Sequence, residues 1–308
     1  MKHFAYKLRR WQLAAFLLPA VLIYTVFSAV PLVDTLRQGF FSDPAAGASH
    51  FVGLDNFRTV LFDPEWSAAF WNAMANNVKF FVIHMLVQNP IGLVLATLFN
   101  LKGLRGERTY RTLIFLPTLL SVVIIGFIWQ LILSPLWGVG ETLMGYAGIG
   151  SLFAPWLGEE KSALVALSLV SVWQYVGIPM MLIYAALLSV PDDIVEAAHA
   201  EGASPLRIFW DIKLPLIYPT LGLVTILTFV ANFNAFDLIY SVKGALAGPN
   251  YSTDILGTLF YRTFFGYQSQ VGSTSMGAAV ATLMFLVILA GVGLYFVGVQ
   301  RRLTRYAL

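Results

Sequence analysis

The chain is 308 residues long, 58% hydrophobic and only 11% charged, with a mean hydropathy of +0.75. Soluble domains carry about 25% charged residues, so the composition argues against a large water-soluble core and for hydrocarbon as the main solvent. The net charge of +3 gathers in short loops rather than in a nucleic-acid-binding stripe, and the absence of cysteine excludes disulfides, thiolate metal sites and cysteine nucleophiles.

The N-terminal ten residues and the apolar run after them have the outline of a secretory leader. The run continues to about Leu36, however, too long for such a leader, and no small-residue cleavage site closes it near Pro19. It reads as a retained first span. A spanning helix needs roughly 20 mostly apolar residues, and six stretches qualify: 12–36, 77–99, 112–133, 163–188, 219–240 and 276–299. The prediction is an all-α integral membrane protein of six transmembrane helices, forming a single domain over 1–308 with no soluble domain. Pro19, Pro90, Gly126 and Pro179 fall inside these stretches, where neighbouring helices re-satisfy the backbone groups they free.

Between the stretches, segment 41–71 contains Asp43-Pro44 and Asp63-Pro64, and segment 134–160 contains five glycines. Trp66, Trp71, Trp137 and Trp156 mark edges suited to the headgroup interface. Lysine and arginine counts set the orientation. With the N-terminus inside, Lys2, Lys7, Arg9, Arg10, Lys102, Arg105, Arg108, Arg111, Arg207, Lys213, Arg301, Arg302 and Arg305 are cytoplasmic. Arg37, Arg58, Lys161, Lys243 and Arg262 fall outside, while Lys79 sits near a helix end and snorkels to the interface. Both termini are therefore expected in the cytoplasm of a multi-pass protein of a bacterial cytoplasmic membrane.

The connection 190–218, between the fourth and fifth stretches, carries the strongest pattern. Pro191 followed by Asp192 and Asp193 is a helix start, since acids favour the positive end of the dipole. A short helix is expected from Asp192 to Ala200, then a turn or close approach at Gly202. A second helix follows, capped by Ser204 with Pro205 at its first position, and Leu206, Phe209, Ile212 and Leu214 supply its apolar positions.

Glu196-Ala197-Ala198, with Gly202 six residues after Glu196 and Ile212-x-Leu214-Pro215 beyond, resembles the EAA loop. That loop marks the permease subunits of binding-protein-dependent ABC importers. Arg111 to Pro117, Gly53 to Phe57, Trp173 with Gly177 and 187–191, and the fifth-span run Asn232 to Ile239 are similar to carbohydrate-uptake members. The last is similar to the maltose-type first permease subunit. Glu201-Gly202-Ala203 stands where the family usually has Asp-Gly-Ala, a departure that keeps the charge.

The resemblance implies a permease that lines the translocation path for a sugar or sugar derivative. It implies a second homologous permease, a dimeric ATP-binding subunit docked on Glu196, Ala197, Ala198, Glu201, Gly202, Ala203 and Pro215, and an extracytoplasmic solute-binding protein. No cofactor is expected in this chain; ATP and magnesium belong to the partner ATPase. The chain lacks a G-x-x-x-x-G-K-[ST] phosphate loop, consistent with a non-enzymatic subunit driven from outside.

Polar residues inside spans are costly unless they face a cavity or a partner. The fifth stretch offers Thr228, Asn232, Asn234 and Asp237, with Thr228 and Asn232 four apart on one helical face. The fourth adds Trp173, Gln174 and Tyr175. These are the candidate substrate contacts. The resemblance implies a third polar position at Ala235, whose alanine points to another sugar or another pose. Interhelical hydrogen bonding for Asn232 and Asn234, pairing of Asp237 with Lys243, and packing alone for Trp173 stay open from the residues. His84, Gln88 and Asn89 are expected to bond a neighbouring helix or the sister permease. Other polar solutes (a polyol, a glycerol phosphate ester, a sugar acid) and an ATP-independent secondary transporter remain alternatives. No metal or catalytic constellation is expected, since the four histidines lie in four separate segments.

Overall fold

The structure is a computed structural model that describes residues 10–44, 47–101, 103–268 and 271–300. Of the residues used to orient the chain, Lys2, Lys7, Arg9, Lys102, Arg301, Arg302 and Arg305 lie outside the described ones.

Among the described residues the chain is helical, with one isolated bridge between Phe41 and Phe51 and no strand. Four helical segments are long and apolar enough to cross a membrane without a sharp bend: α1 (Ala14–Gln38), α3 (Pro64–Phe99), Tyr218–Lys243, and α14 (Thr274–Gly298). Two more segments qualify only as bent pairs: α4 (Glu107–Leu119) with α5 (Val122–Ile132), bent by 98°, and, after the short α6 (Val139–Tyr146), α7 (Ala163–Tyr175) with α8 (Gly177–Leu188), bent by 42°. Each apolar stretch of the sequence thus has a counterpart, but three boundaries move. The second span begins thirteen residues early, at Pro64, and a short helix, α2 (Asp55–Phe62), precedes it. The third is broken where Pro117 ends the regular ladder. Leu120 and Ser121 then run extended, and the freed Leu120 carbonyl accepts the Gln174 amide at 3.3 Å. The fifth is interrupted after α11 (Tyr218–Phe233) and resumes as α12 (Asp237–Lys243).

Prolines also explain three widened turns. π-Helical turns at Thr25–Ala29, His84–Gln88 and Phe209–Lys213 each end two residues before a proline: Pro31, Pro90 and Pro215. Proline removes an amide donor and its ring crowds the carbonyl one turn back. A single wider turn absorbs both defects without breaking the helix.

Small residues set the closest approaches. A Cβ at Gly177 would lie 2.9 Å from Phe115 Cα and 3.1 Å from the Ile114 carbonyl, so α8 starts hard against the backbone of α4. Gly177→Ala is therefore expected to cost about 1–3 kcal/mol through overpacking and to lower the unfolding midpoint of the purified chain in micelles by several degrees. An unchanged midpoint would mean that the two backbones do not meet this closely.

The connection after α12 holds a helix that the hydropathy pattern does not reveal. α13 (Leu256–Phe265) is buried against α3 and α14, and Leu256 and Leu259 join Phe70, Ala73 and Ala279 in one apolar cluster. Its charge is also buried. Arg262, 3% exposed, bonds both carboxylate oxygens of the fully buried Asp254, at 2.6 and 3.1 Å, and also donates to the Ala245 carbonyl at 2.9 Å. Asp254 accepts a further bond from Thr258 at 2.7 Å, and the guanidinium lies 4.9 Å from the centre of the Tyr251 ring.

Candidate functional site

Two regions stand out, a partly open cavity and an exposed two-helix loop. The cavity, about 460 Å³, opens where the interruption of the fifth span faces α3, α7 and α8. The break exists because the α11 ladder stops at Phe233 and Phe236 takes a non-helical backbone before α12 restarts. That geometry brings Asn232, Asn234 and Asp237 to the same cavity as Thr228, and Tyr175 from α7 joins them. Trp173 does not join them. It is 43% exposed on the opposite face of α7, edge-on to Trp129 with ring centres 5.5 Å apart. Two residues along a helix turn the side chain by about 200°, so Trp173 and Tyr175 cannot share a face. Asp237 is likewise not paired with Lys243, whose ammonium donates to the Leu157 carbonyl.

Three polar residues of α3 line or support this cavity. His84 and Gln88 line it, and Asn89 touches Thr228. The Thr228 hydroxyl sits between the Val224 carbonyl (2.8 Å) and Asn89 Oδ1 (3.2 Å), to either of which it can donate. His84 Nδ1 lies 2.8 Å from the Phe80 carbonyl, which can only accept. Nδ1 therefore carries the proton of the neutral ring, and Nε2 accepts from the Ser171 hydroxyl at 3.0 Å. The Asn232 amide nitrogen donates to the Thr228 carbonyl at 2.7 Å, which fixes the orientation of that amide. Its Oδ1, like Oε1 of Gln88, is buried beside the cavity with no partner. Among the residues lining the cavity, Asp237 is the one carboxylate and there is no lysine or arginine.

The loop folds as its residues dictate. α9 (Asp192–Ala200) starts after Pro191 with both aspartates in its first turn. It ends in a paired cap: the Gly202 amide bonds the His199 carbonyl and the Ala203 amide bonds the Ala198 carbonyl, each at 3.0 Å. Gly202 takes φ +81°, and no atom lies within 4 Å of the place a Cβ would occupy. The glycine is there for the turn and not for a close approach within this chain. Ser204 then caps Arg207 and starts α10, which runs from Pro205–Ile208 through the π-turn to Leu214–Leu216. Glu196, Ala197, Glu201 and Gly202 are exposed, and Ala198 and Ala203 are half-buried. Pro215 is half-buried at the far end, where Leu214 and Ile217 anchor the loop to α8. The apolar division differs from expectation at Leu206 and Ile208. Ile208 and Leu214 face inward, whereas Leu206 is 69% exposed and is joined outside by Trp210 and Ile194. Sequence reading passed over the last two, although a tryptophan on a polar loop was their signal.

Residues 88–305 match the family described as the binding-protein-dependent transport system inner membrane component. The chain belongs to that family. Among curated relatives, the multiple sugar-binding transport system permease protein MsmF of Streptococcus mutans is 30% identical, over 89% of this chain and 90% of its own length. The sn-glycerol-3-phosphate transport system permease protein UgpA of Agrobacterium fabrum is 28% identical, over 92% and 93%. Among solved structures, a bacterial alginate ABC transporter, in complex with a periplasmic protein that holds an alginate pentasaccharide, contains a chain of the same fold. Its TM-score is 0.80 at 21% identity, covering 97% of this chain and 96% of that one. Membership makes this chain a multi-pass membrane permease; the 190–218 loop lies inside the matched region, as does the cavity lining except Phe80 and His84.

Proposed function

We propose that this chain is one permease subunit of an ABC importer for a neutral polyhydroxylated solute, a sugar or sugar derivative, in a bacterial cytoplasmic membrane. It crosses six times with both termini in the cytoplasm and pairs with a second homologous permease. A dimeric ATPase that binds ATP and magnesium docks on the 190–218 loop, and an extracytoplasmic binding protein delivers the solute. This chain itself hydrolyses nothing and needs no cofactor.

One observation carries the substrate class. Two buried amide oxygens, on Asn232 and Gln88, lie unpartnered at a cavity whose one lining charge is Asp237. Acceptors without donors want hydroxyl groups, and a buried acceptor left unmatched costs about 1–3 kcal/mol. An alternating-access step that widens the cavity offers both oxygens to solute hydroxyls. A phosphate ester or sugar acid would need cationic or donor groups instead, and the lining residues supply neither lysine nor arginine. Support for a carbohydrate also comes from the sugar-importing relative.

The test is uptake by the reconstituted complete importer from a pool of radiolabelled mono-, di- and oligosaccharides with glycerol 3-phosphate. Asn232→Ala is expected to lower accumulation of the favoured sugar about tenfold while the complex still assembles; native uptake would remove Asn232 from the site. Accumulation of glycerol 3-phosphate alone would overturn the neutral-solute reading. Accumulation without ATP would favour a secondary transporter.

A further inference from the structure

Two neighbouring asparagines of α3, Asn76 and Asn77, are buried, and each side chain reaches across to backbone from the other end of the chain. Asn77 has no exposed surface. Its Nδ2 donates to the Asn232 carbonyl at 2.9 Å, and its Oδ1 accepts the Leu256 amide at 2.7 Å. Both assignments are forced, because a carbonyl can only accept and an amide N–H can only donate. The Asn232 carbonyl is one of those left at the end of α11, where the fifth span breaks, and the Leu256 amide opens α13. One side chain thus ties two helix ends together, adding to the long 3.3 Å bond that the Asn232 carbonyl takes from the Ala235 amide. α13 in turn lies against the break: a Cβ on Gly257 would come within 2.7 Å of the Ala235 carbonyl. Asn76 donates to the Asp254 carbonyl at 2.9 Å rather than to Asn232.

We infer that Asn77 is a positioning residue for the solute site: it holds the Asn232 backbone in place, and it makes the break of the fifth span move as one piece with α13. The inference rests on the reading of Asn232 as a solute contact. Asn232 presents its unpartnered Oδ1 from a backbone that lacks a continuing helix behind it. Without the Asn77 donor, its carbonyl loses a bond that water cannot readily replace at a fully buried position, and the residue is free to shift. Displacements of a fraction of an ångström suffice to spoil a hydrogen bond to a solute. Through Leu256, the same amide joins this site to the 244–265 connection, which is itself stiffened by the Asp254–Arg262 pair. A partner that presses on that connection from outside therefore acts on the solute site.

The experiment reconstitutes the complete importer with its loaded binding protein. It reads the moles of labelled sugar moved per mole of ATP hydrolysed, using the sugar that the native importer accumulates from the pool above. Asn77→Leu, near in size but unable to bond either group, is expected to keep stimulated ATP hydrolysis within about twofold while sugar moved per ATP falls about fivefold, the effect of one lost hydrogen bond. Asn76→Leu, with the same burial of a leucine but no tie to Asn232, should stay near native. Asn77→Leu combined with Asn232→Ala should be no worse than Asn232→Ala alone, because both act through one contact. A native ratio in Asn77→Leu beside a lowered one in Asn232→Ala would overturn the role of Asn77. A native ratio in Asn232→Ala would instead refute the solute site. Equal losses in Asn76→Leu and Asn77→Leu would reduce both asparagines to packing and overturn the inference. Should Asn77→Leu not assemble, Asn77→Ala, small enough to admit a water, takes its place with the same expectations.

Discussion

Gly202→Val is expected to abolish transport while leaving the chain inserted and the bundle folded. The residue ends α9 at φ +81°, where a β-branched side chain is strongly disfavoured. The space around it is open, so the damage is to the turn itself. Without that turn the amides of Gly202 and Ala203 leave the carbonyls of His199 and Ala198, and α9 and α10 lose their mutual angle. The exposed face they form together, with Glu196, Ile194, Leu206 and Trp210, then no longer fits a partner. Co-purification of the ATPase and its hydrolysis in the presence of loaded binding protein measure the outcome. Normal uptake by Gly202→Val would end the docking role of this loop. Gly202→Asn provides the graded control, since asparagine tolerates the left-handed region and should retain part of the activity.

The second large effect is expected at Arg262. Arg262→Met leaves the buried Asp254 carboxylate with a hydroxyl and no counter-charge, and removing one partner of a buried pair costs about 3–5 kcal/mol. Burial already pushes the Asp254 carboxyl upward, against the pull of Arg262 and the Thr258 hydroxyl. Losing the guanidinium raises it further. The folded variant then holds a proton that the unfolded chain releases at the ordinary carboxylate value, so its stability falls as pH rises through that range. Melting in micelles at acid and neutral pH should therefore show a larger deficit at neutral pH. Arg262→Met with Asp254→Leu should recover most of the loss, because the charge that needed a partner is gone. If Arg262→Met melts like the native chain at both pH values, the pair does not anchor the connection.

How much of this could be read from the sequence depends on what each signal reports. Hydropathy reports solvent, and it located the apolar stretches. It is blind to backbone breaks, and so the 98° bend at Pro117 and the interruption at Asn234 to Phe236 went unread. The widened turns before the prolines at 31, 90 and 215 also went unread, because a proline shows as a departure only from a ladder whose course is known. α13 was passed over because it is shorter than a span and carries Arg262, which was counted as an outside charge although it is buried. For the site, Thr228 and Asn232 were legible because helical spacing alone puts them on one face, and the loop was legible because caps and turns are local chemistry. Gln88 and Asn77 were not. An amide inside a span looks the same whether it bonds a neighbour, lines a cavity or holds another residue. Trp173 shows the reverse error, an aromatic ring chosen for its chemistry on the face that points away.

The Lys213 ammonium bonds Asn100 Oδ1 at 2.7 Å, joining the far part of the 190–218 loop to the residue that closes α3. The regular stretch Asn89–Phe99 above it spans 11 residues, a stiff rod of about 16 Å. Asn89, at its far end, meets Thr228 in the cavity. A lever of that length turns a tilt of about 10° at the Asn100 end into a sideways travel of about 3 Å at the other. That is one hydrogen-bond length, so a continuous swing of the loop is read out at the cavity as contacts that are either made or gone.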